Sequence, residues 1–443
     1  MNTPAAVCER MSRVDTAWLR MDNDVNLMMI VSVWLVRPKV AYETVCRRLE
    51  DKLLRYERFR CVVVRDGDGA KWCTDKDFDI HRHVVREKLK PERGQSERAA
   101  LQERVGALAA EPFDLDRPLW EFRLIEDYEG GSALVSRIHH CIGDGIALTS
   151  VMLSITDGGS DPPRRARASR GGDRLVDLVL KPLDGLSTKA AALVEKSIAR
   201  SLDVLADPKQ GLTGAIDAAR LGARVMNDVA AMALMADDSP TLLKGRLSGR
   251  KRVAWGEPFP LADVKAIGSA LGCSVNDVLL ACVAGAIGHW LRVQGDDSAG
   301  KEIRAMVPVN LRPLEDAWQL GNRFGLAPLV LPIGVDHPVE RVFAVRARMA
   351  ELKSSYQPLM AFTLLAVAGL MAKPVQDAML GLFARKTTAV MTNVPGPATP
   401  LKFCGATLRQ TMFWVPASGD VGVGVSILSY AGGVQFGLIT DEA

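Results

Sequence analysis

His139-His140-Cys141-Ile142-Gly143-Asp144-Gly145 closes a run of strand formers, Ser132 to His140, and its Gly143, Asp144 and Gly145 cluster demands a sharp turn. A strand should therefore end where the histidines stand. Side chains alternate across a strand, so His139 and His140 face opposite ways, which argues against a shared metal ion. One of them can enter a cleft, and an imidazole with an ordinary pKa of ~6.5 can take a proton from a hydroxyl or amine near neutral pH. Asp144 is suited to fixing the turn. The plainer reading is a core-and-turn pair with no chemistry, and the remaining segments decide between the two.

The 443 residues are 48% hydrophobic, enough for a large core divided among two or three domains. A net charge of +4 suits a soluble protein that meets anionic ligands or an anionic surface. Nucleic acid is excluded as a partner, because aromatics are 6% of the chain and no basic helix is interleaved with them. The eight cysteines, Cys8, Cys46, Cys61, Cys73, Cys141, Cys273, Cys282 and Cys404, show no CxxC or ligand spacing and read as reduced thiols, mostly in the core. Met1 to Arg10 lacks the basic start and apolar run of a secretory signal, so a cytoplasmic location is expected. The longest uncharged apolar stretch, Ser354 to Ala372, is interrupted by Pro358 and reads as a buried or interfacial helix rather than a membrane span.

Along the chain, Met11 to Leu19 can open a helix, Met28 to Leu35 reads as a strand, Ala41 to Arg55 as a helix and Arg58 to Val64 as a strand. Asp77 to Val85 alternates like an edge strand on which His81 and His83 share a face. Glu97 to Ala110 is helical. Pro118-Leu119-Trp120 leads from a loop into a strand at Glu121 to Ile125. Gly158 to Arg174, with five arginines and Pro162-Pro163, reads as a linker; Leu175 to Leu243 is Ala- and Leu-rich with helical spacing, a lid, a bridge or a lipid-facing layer. After Gly249 the α/β character returns, with helices over Leu261 to Leu271 and Val275 to Arg292.

Ser274 and Asp277 form a capping-box pattern ahead of that second helix. Asn276, in its first turn, is left over as a candidate for steadying a developing oxyanion. Arg304 to Pro313, including Asn310 and Arg312, reads as a strand running into a loop, followed by Gly321-Asn322-Arg323-Phe324-Gly325; Arg312 could pair with Asp144 and stiffen the histidine turn. Thr392-Asn393-Val-Pro-Gly-Pro397 should end a strand at Met391 in a rigid turn. No GxSxG, Walker A, ordered GxGxxG or HExxH pattern is present, so serine-hydrolase, phosphate-loop and zinc-peptidase chemistry have no visible site.

These pieces together resemble the bacterial wax ester synthase/diacylglycerol acyltransferase family, within the chloramphenicol acetyltransferase-like group of CoA-dependent acyltransferases. The HHxxxDG signature alone points only to the larger group. Pro118-Leu119-Trp120, Asn276-Asp277, the Asn310 to Pro313 and Gly321 to Gly325 segments, Asn393 to Pro397 and the Ser12 to Leu19 opening narrow it, over essentially the whole chain. The resemblance implies an α/β fold of two such domains, each a mixed sheet flanked by helices, with a tunnel between them. The expected division is an N-terminal domain over 1–157, a basic linker and helical bridge over 158–248, and a C-terminal domain over 249–443. Similar proteins often continue into a further helix beyond Thr440 to Ala443, so a short or shortened member is implied.

In that family the second histidine is the general base, a role that carries over to His140. The implied reaction is long-chain acyl transfer from acyl-CoA to a fatty alcohol or diacylglycerol, without a covalent acyl-enzyme, bound cofactor or metal. His139, Asp144 and Gly145 would shape the site, Asn276 would support it, and Pro118, Leu119, Trp120, Asp277, Arg312 and Asn393 would hold the surrounding motifs. Peripheral attachment to a membrane or lipid-droplet surface is a further expectation. The rival readings are a condensation-type enzyme using carrier-bound acyl groups and a non-catalytic lipid-droplet surface protein.

Overall fold

Short-range hydrogen bonds set several element boundaries in the computed structural model, which describes residues 8–66, 69–161, 237–312, 316–354 and 373–443, with 361, 365 and 368. β1 (Cys8–Arg10) leads to α1 (Arg13–Arg20), whose cap Ser12 accepts the Asp15 N–H at 3.0 Å. β2 (Met29–Arg37), α2 (Tyr42–Lys52), β3 (Cys61–Asp66), β4 (Gly69–Thr74) and β5 (Val84–Glu87) follow. Then come α3 (Glu97–Ala109), β6 (Trp120–Tyr128), β7 (Gly131–His139) and α4 (Gly145–Ser154). Asp144 caps α4, its Oδ1 accepting the Ala147 N–H at 2.9 Å.

The second half opens with β8 (Lys251–Trp255), β9 (Phe259–Pro260) and α5 (Leu261–Leu271), which stops at Gly272 with φ at 62°. Two residues later the Ser274 and Asp277 capping box, with both reciprocal bonds made, starts α6 (Val275–Val293). β10 (Ile303–Asn310), β11 (Phe324–Leu331), α7 (Pro338–Ser354) and α8 (Lys373–Arg385) precede β12 (Ala389–Pro395), β13 (Lys402–Phe403), β14 (Ala406–Trp414), β15 (Val423–Tyr430) and β16 (Gly433–Asp441).

Two large sheets result. One runs β13-β14-β2-β7-β6-β5; the other runs β11-β10-β12-β15-β16-β8, with β9 also on β16, while β1, β4 and β3 form a small third sheet. Period-two alternation divides β7 between two cores: Ala133 and Val135 meet Leu101 and Val105 of α3, and Leu134 and Ile138 face the other way. In the second sheet Ala305, Ala389, Met391 and Val425 pack under Val278, Ala281 and Val345 of α6 and α7. Its opposite face turns toward the first sheet. Among the described residues no single helix is long and apolar enough to cross a membrane; α5 and α6 reach that length only together, and they are bent by 102°.

Several expectations need correction. β13 and β14 come from the 249–443 segment yet pair with β2 in the first sheet, so the three-way division is crossed by a hairpin. β12 does not stop at Met391, because its parallel ladder with β15 continues to Pro395 and only then does the Gly396-Pro397 turn begin. His81 and His83 share no strand face: Asp79 accepts the His81 N–H at 3.0 Å and winds Ile80–Arg82 into a 3-10 turn. His83 is buried and stacked on Trp120 at 4.4 Å, while His81 is exposed. Cys8 and Cys73, expected as thiols, stand opposite each other in the β1/β4 register and form a disulfide across a separation of 65 residues. That pairing comes from register, which spacing does not encode. Most of the arginine linker and the Ala- and Leu-rich stretch, residues 162–236, and most of 355–372 lie outside the described residues.

Candidate active site

Between the two large sheets lies a cavity of about 310 Å³. Its wall follows from strand alternation: Ile30, Ser32 and Trp34 of β2 and Ser136 and Ile138 of β7 on one side, Val390, Thr392 and Leu428 of β12 and β15 on the other. Such a space, predominantly apolar in surface and lined by aliphatic and aromatic side chains with polar groups among them, accommodates a hydrocarbon chain. The start of α4, with Asp144, Gly145 and Ile146, forms part of the wall, and His140 lies beside it. Gly145 is exposed there, and nothing stands within 4 Å of where a side chain would begin.

His140 follows the last residue of β7, and its backbone N–H is held by the Met28 carbonyl at 2.7 Å. The ring stacks on Trp18 of α1 with centroids 4.0 Å apart and 12° between planes, and Phe324 covers it at 5.5 Å. Nδ1 lies 2.9 Å from Oδ1 of Asn322. Burial pushes the His140 pKa down to about 4, against the opposing pull of the Asp144 charge and the Asn322 hydrogen bond. The ring is therefore neutral at pH 7 and available as a base. His139 points the other way, with Nε2 3.2 Å from Asp22 and Nδ1 accepting the Cys141 N–H at 3.1 Å. It ties the turn to the chain ahead of β2 and is not part of the cavity wall.

Asp144 and Arg312 meet as the sequence reading expects, with Nη2 donating to Oδ2 at 2.9 Å and both side chains at most 5% exposed. The same oxygen accepts the Arg323 N–H at 2.9 Å, and Arg312 also donates to the Gly321 carbonyl at 2.6 Å. Asp144 thus caps α4 and pins the Gly321–Arg323 loop from the second half of the chain. Gly321 has φ at +111°, and a Cβ there would lie 3.3 Å from Arg58 and 3.4 Å from Asp15, so this loop needs glycine. Asn322, only 4% exposed, donates from Nδ2 to Asp15 and to the His140 carbonyl, each at 2.8 Å. Asp15, 1% exposed, is held in turn by Arg58 at 3.1 Å. The histidine turn is clamped between halves.

Residues 11–279 match the family described as the wax ester synthase/diacylglycerol acyltransferase catalytic domain, and residues 320–443 match the WS/DGAT C-terminal domain. The chain belongs to this family. It is an acyltransferase with a chloramphenicol acetyltransferase-like fold. A probable diacylglycerol O-acyltransferase of Mycobacterium tuberculosis is 28% identical over 392 residues, 85% of this chain and 77% of that protein. A second from the same organism is 27% identical over 425 residues, covering 91% and 87%. The wax ester synthase/diacylglycerol acyltransferase of Marinobacter aquaeolei superposes with a TM-score of 0.65 at 20% identity, over 97% of this chain and 93% of that one. The first condensation domain of the CDA synthetase follows at 0.57 and 15%, over 99% and 91%.

The other motif residues of this acyltransferase fall into two groups. Pro118, Leu119 and Trp120 are buried away from the cavity: the Leu119 carbonyl accepts the His139 N–H at 2.9 Å, and Trp120 Nε1 donates to the Phe59 carbonyl at 2.8 Å. They hold β6 against the histidine strand. Asn393 of β12 is at the cavity wall and donates to Asn276 Oδ1 at 2.9 Å, so Asn276 reaches the cavity through Asn393, while Asp277 serves the helix cap. Asn310 turns its side chain back on its own loop, bonding the N–H and the carbonyl of Arg312. Reading the sequence assigned no role to Asn322, Asp15, Trp18 or Arg58. All four lie in stretches whose local structure the sequence indicates, but contacts at separations such as 307 residues leave no local pattern.

Proposed function

We propose that the protein moves a long-chain acyl group from acyl-CoA to the hydroxyl of a fatty alcohol or diacylglycerol, with His140 as the general base. The ring takes the hydroxyl proton as the oxygen bonds to the thioester carbonyl carbon. The tetrahedral adduct collapses, the carbon–sulfur bond breaks, and the imidazolium returns its proton to the leaving thiolate. Ester and free CoA are the products, and no acyl-enzyme forms. The observation that carries this reading is a neutral imidazole at the wall of an apolar cavity between two sheets. Asp144, Gly145 and His139 shape the turn, and the Asn276 and Asn393 pair steadies the second sheet's side of the cavity.

The test is His140→Ala in the purified protein, offered palmitoyl-CoA with hexadecanol or diacylglycerol. Activity should fall by about 10²- to 10⁴-fold, with the fold retained by circular dichroism. Full turnover in the folded variant would refute the assignment, and transfer only from an acylated carrier protein would favour a condensation-type donor. We also propose that the protein binds peripherally to anionic lipid, supported by the arginines between 164 and 174. Failure to float with anionic vesicles at low salt would remove that part alone.

A further inference from the structure

The side-chain amide of Asn322 has one orientation open to it. Its Nδ2 lies 2.8 Å from Asp15 Oδ1 and 2.8 Å from the His140 carbonyl oxygen. A carbonyl oxygen cannot donate, and Asp15 Oδ1 already accepts the Asn322 backbone N–H at 3.0 Å while Oδ2 accepts from Arg58. Flipping the amide would set its oxygen against both acceptors. Oδ1 must therefore be the atom 2.9 Å from His140 Nδ1, and an amide oxygen can only accept. The ring proton has to be on Nδ1, which leaves the lone pair on Nε2.

We propose that Asn322 is the positioning residue of the catalytic base, holding neutral His140 in its Nδ1–H tautomer so that Nε2 is the nitrogen that takes the substrate proton. The other tautomer would make Nε2 a donor and useless for that step. Asn322 is itself oriented by Asp15, and Asp15 by Arg58, which also donates to the Ile142 carbonyl at 2.9 Å in the histidine turn. The relay joins the 3-10 turn at Glu57–Arg60, α1, the Gly321–Arg323 loop and the turn after β7. The loop comes from the second half of the chain and the base from the first, so the base acquires its working tautomer only when the halves are docked. Asn322 touches no reacting atom, and its effect on the reaction passes through the ring.

This inference rests on His140 being the base, and its tests separate the two. In protein labelled with ¹⁵N-histidine, the His140 ring signals, identified by their loss in His140→Gln, should show a protonated Nδ1 and a bare Nε2. This requires no variant of Asn322, and the reverse pattern would overturn the inference. Asn322→Ala should lower kcat by about 10²-fold and leave KM for palmitoyl-CoA within about threefold. The His140 signals should shift toward protonated Nε2. If His140→Ala is inactive while Asn322→Ala keeps near-normal kcat, the tautomer role falls and the general base stands. If His140→Ala is active, the base assignment falls first.

Discussion

Asp144→Ala removes three contacts at once, the α4 cap, the Arg312 ion pair and the bond from the Arg323 N–H, and the two largest can be sized. Loss of the α4 cap costs about 1 kcal/mol. Arg312, with a side chain 1% exposed, is then left as a buried cation without its counter-ion, and breaking one side of such a pair costs about 3–5 kcal/mol. Arg312 keeps the carbonyls of Gly321 and Gln319 as acceptors, so the low end applies, and the total is set at about 4 kcal/mol. A chain of 443 residues unfolds with an entropy of about 0.9 kcal/mol per kelvin at ~2.1 cal per residue. The expected fall in Tm is therefore about 4 °C, followed by circular dichroism. Activity should fall too, because the cap shapes the cavity wall beside His140. The decisive comparison is the double variant Asp144→Ala with Arg312→Met, in which the stranded cation is gone and apolar volume replaces it. It should be no less stable than Asp144→Ala alone. Additive losses, or a single variant melting within about 1 °C of the parent, would refute the idea that this pair organises the turn.

Other outcomes follow from the buried ring and the disulfide. His140 titrates at about 4 in the folded protein against an ordinary 6.5, so between those values the unfolded chain binds the extra proton and stability must fall as pH falls. At pH 5 the loss is about 2 kcal/mol; urea unfolding of the parent at pH 7 and 5 should exceed the change in His140→Gln by that amount, and equal changes would contradict the burial argument. As a base with that pKa, His140 should sustain kcat down to about pH 5, and an acidic limb near 6.5 would show a solvated ring. Reducing Cys8–Cys73, which closes a separation of 65 residues, should cost up to about 4 kcal/mol. Cys8→Ser should melt at the same temperature with and without reductant, and a parent equally indifferent to reductant would argue that the bond is not formed.

How far each feature could be read depends on the reach of the interaction behind it. The Ser274 and Asp277 box and the Asp144 cap are bonds over three residues, so residue type and spacing suffice. The opposite facing of His139 and His140 needs only the period of a strand. The Asp144 and Arg312 contact spans 168 residues, and it was open to anticipation because a turn carboxylate and a loop arginine are natural partners. By contrast, nothing local distinguishes Asn322 from any asparagine in a glycine-rich turn. Its meaning comes from Asp15, 307 residues away, and His140, 182 residues away. The pairing of β14 with β2 and the extension of β12 to Pro395 were illegible for the same reason, since each is stabilised by a ladder with a distant strand.

The order of residues by itself determined where helices start, which way the histidines point, and that a turn follows them, because backbone geometry and capping act within a few positions. Tertiary structure alone decided that burial lowers the His140 pKa, which of its nitrogens carries the proton, and that an apolar cavity opens beside it. Desolvation, a fixed amide orientation and a space between sheets exist only once distant segments are packed together, and no short stretch of chain contains them.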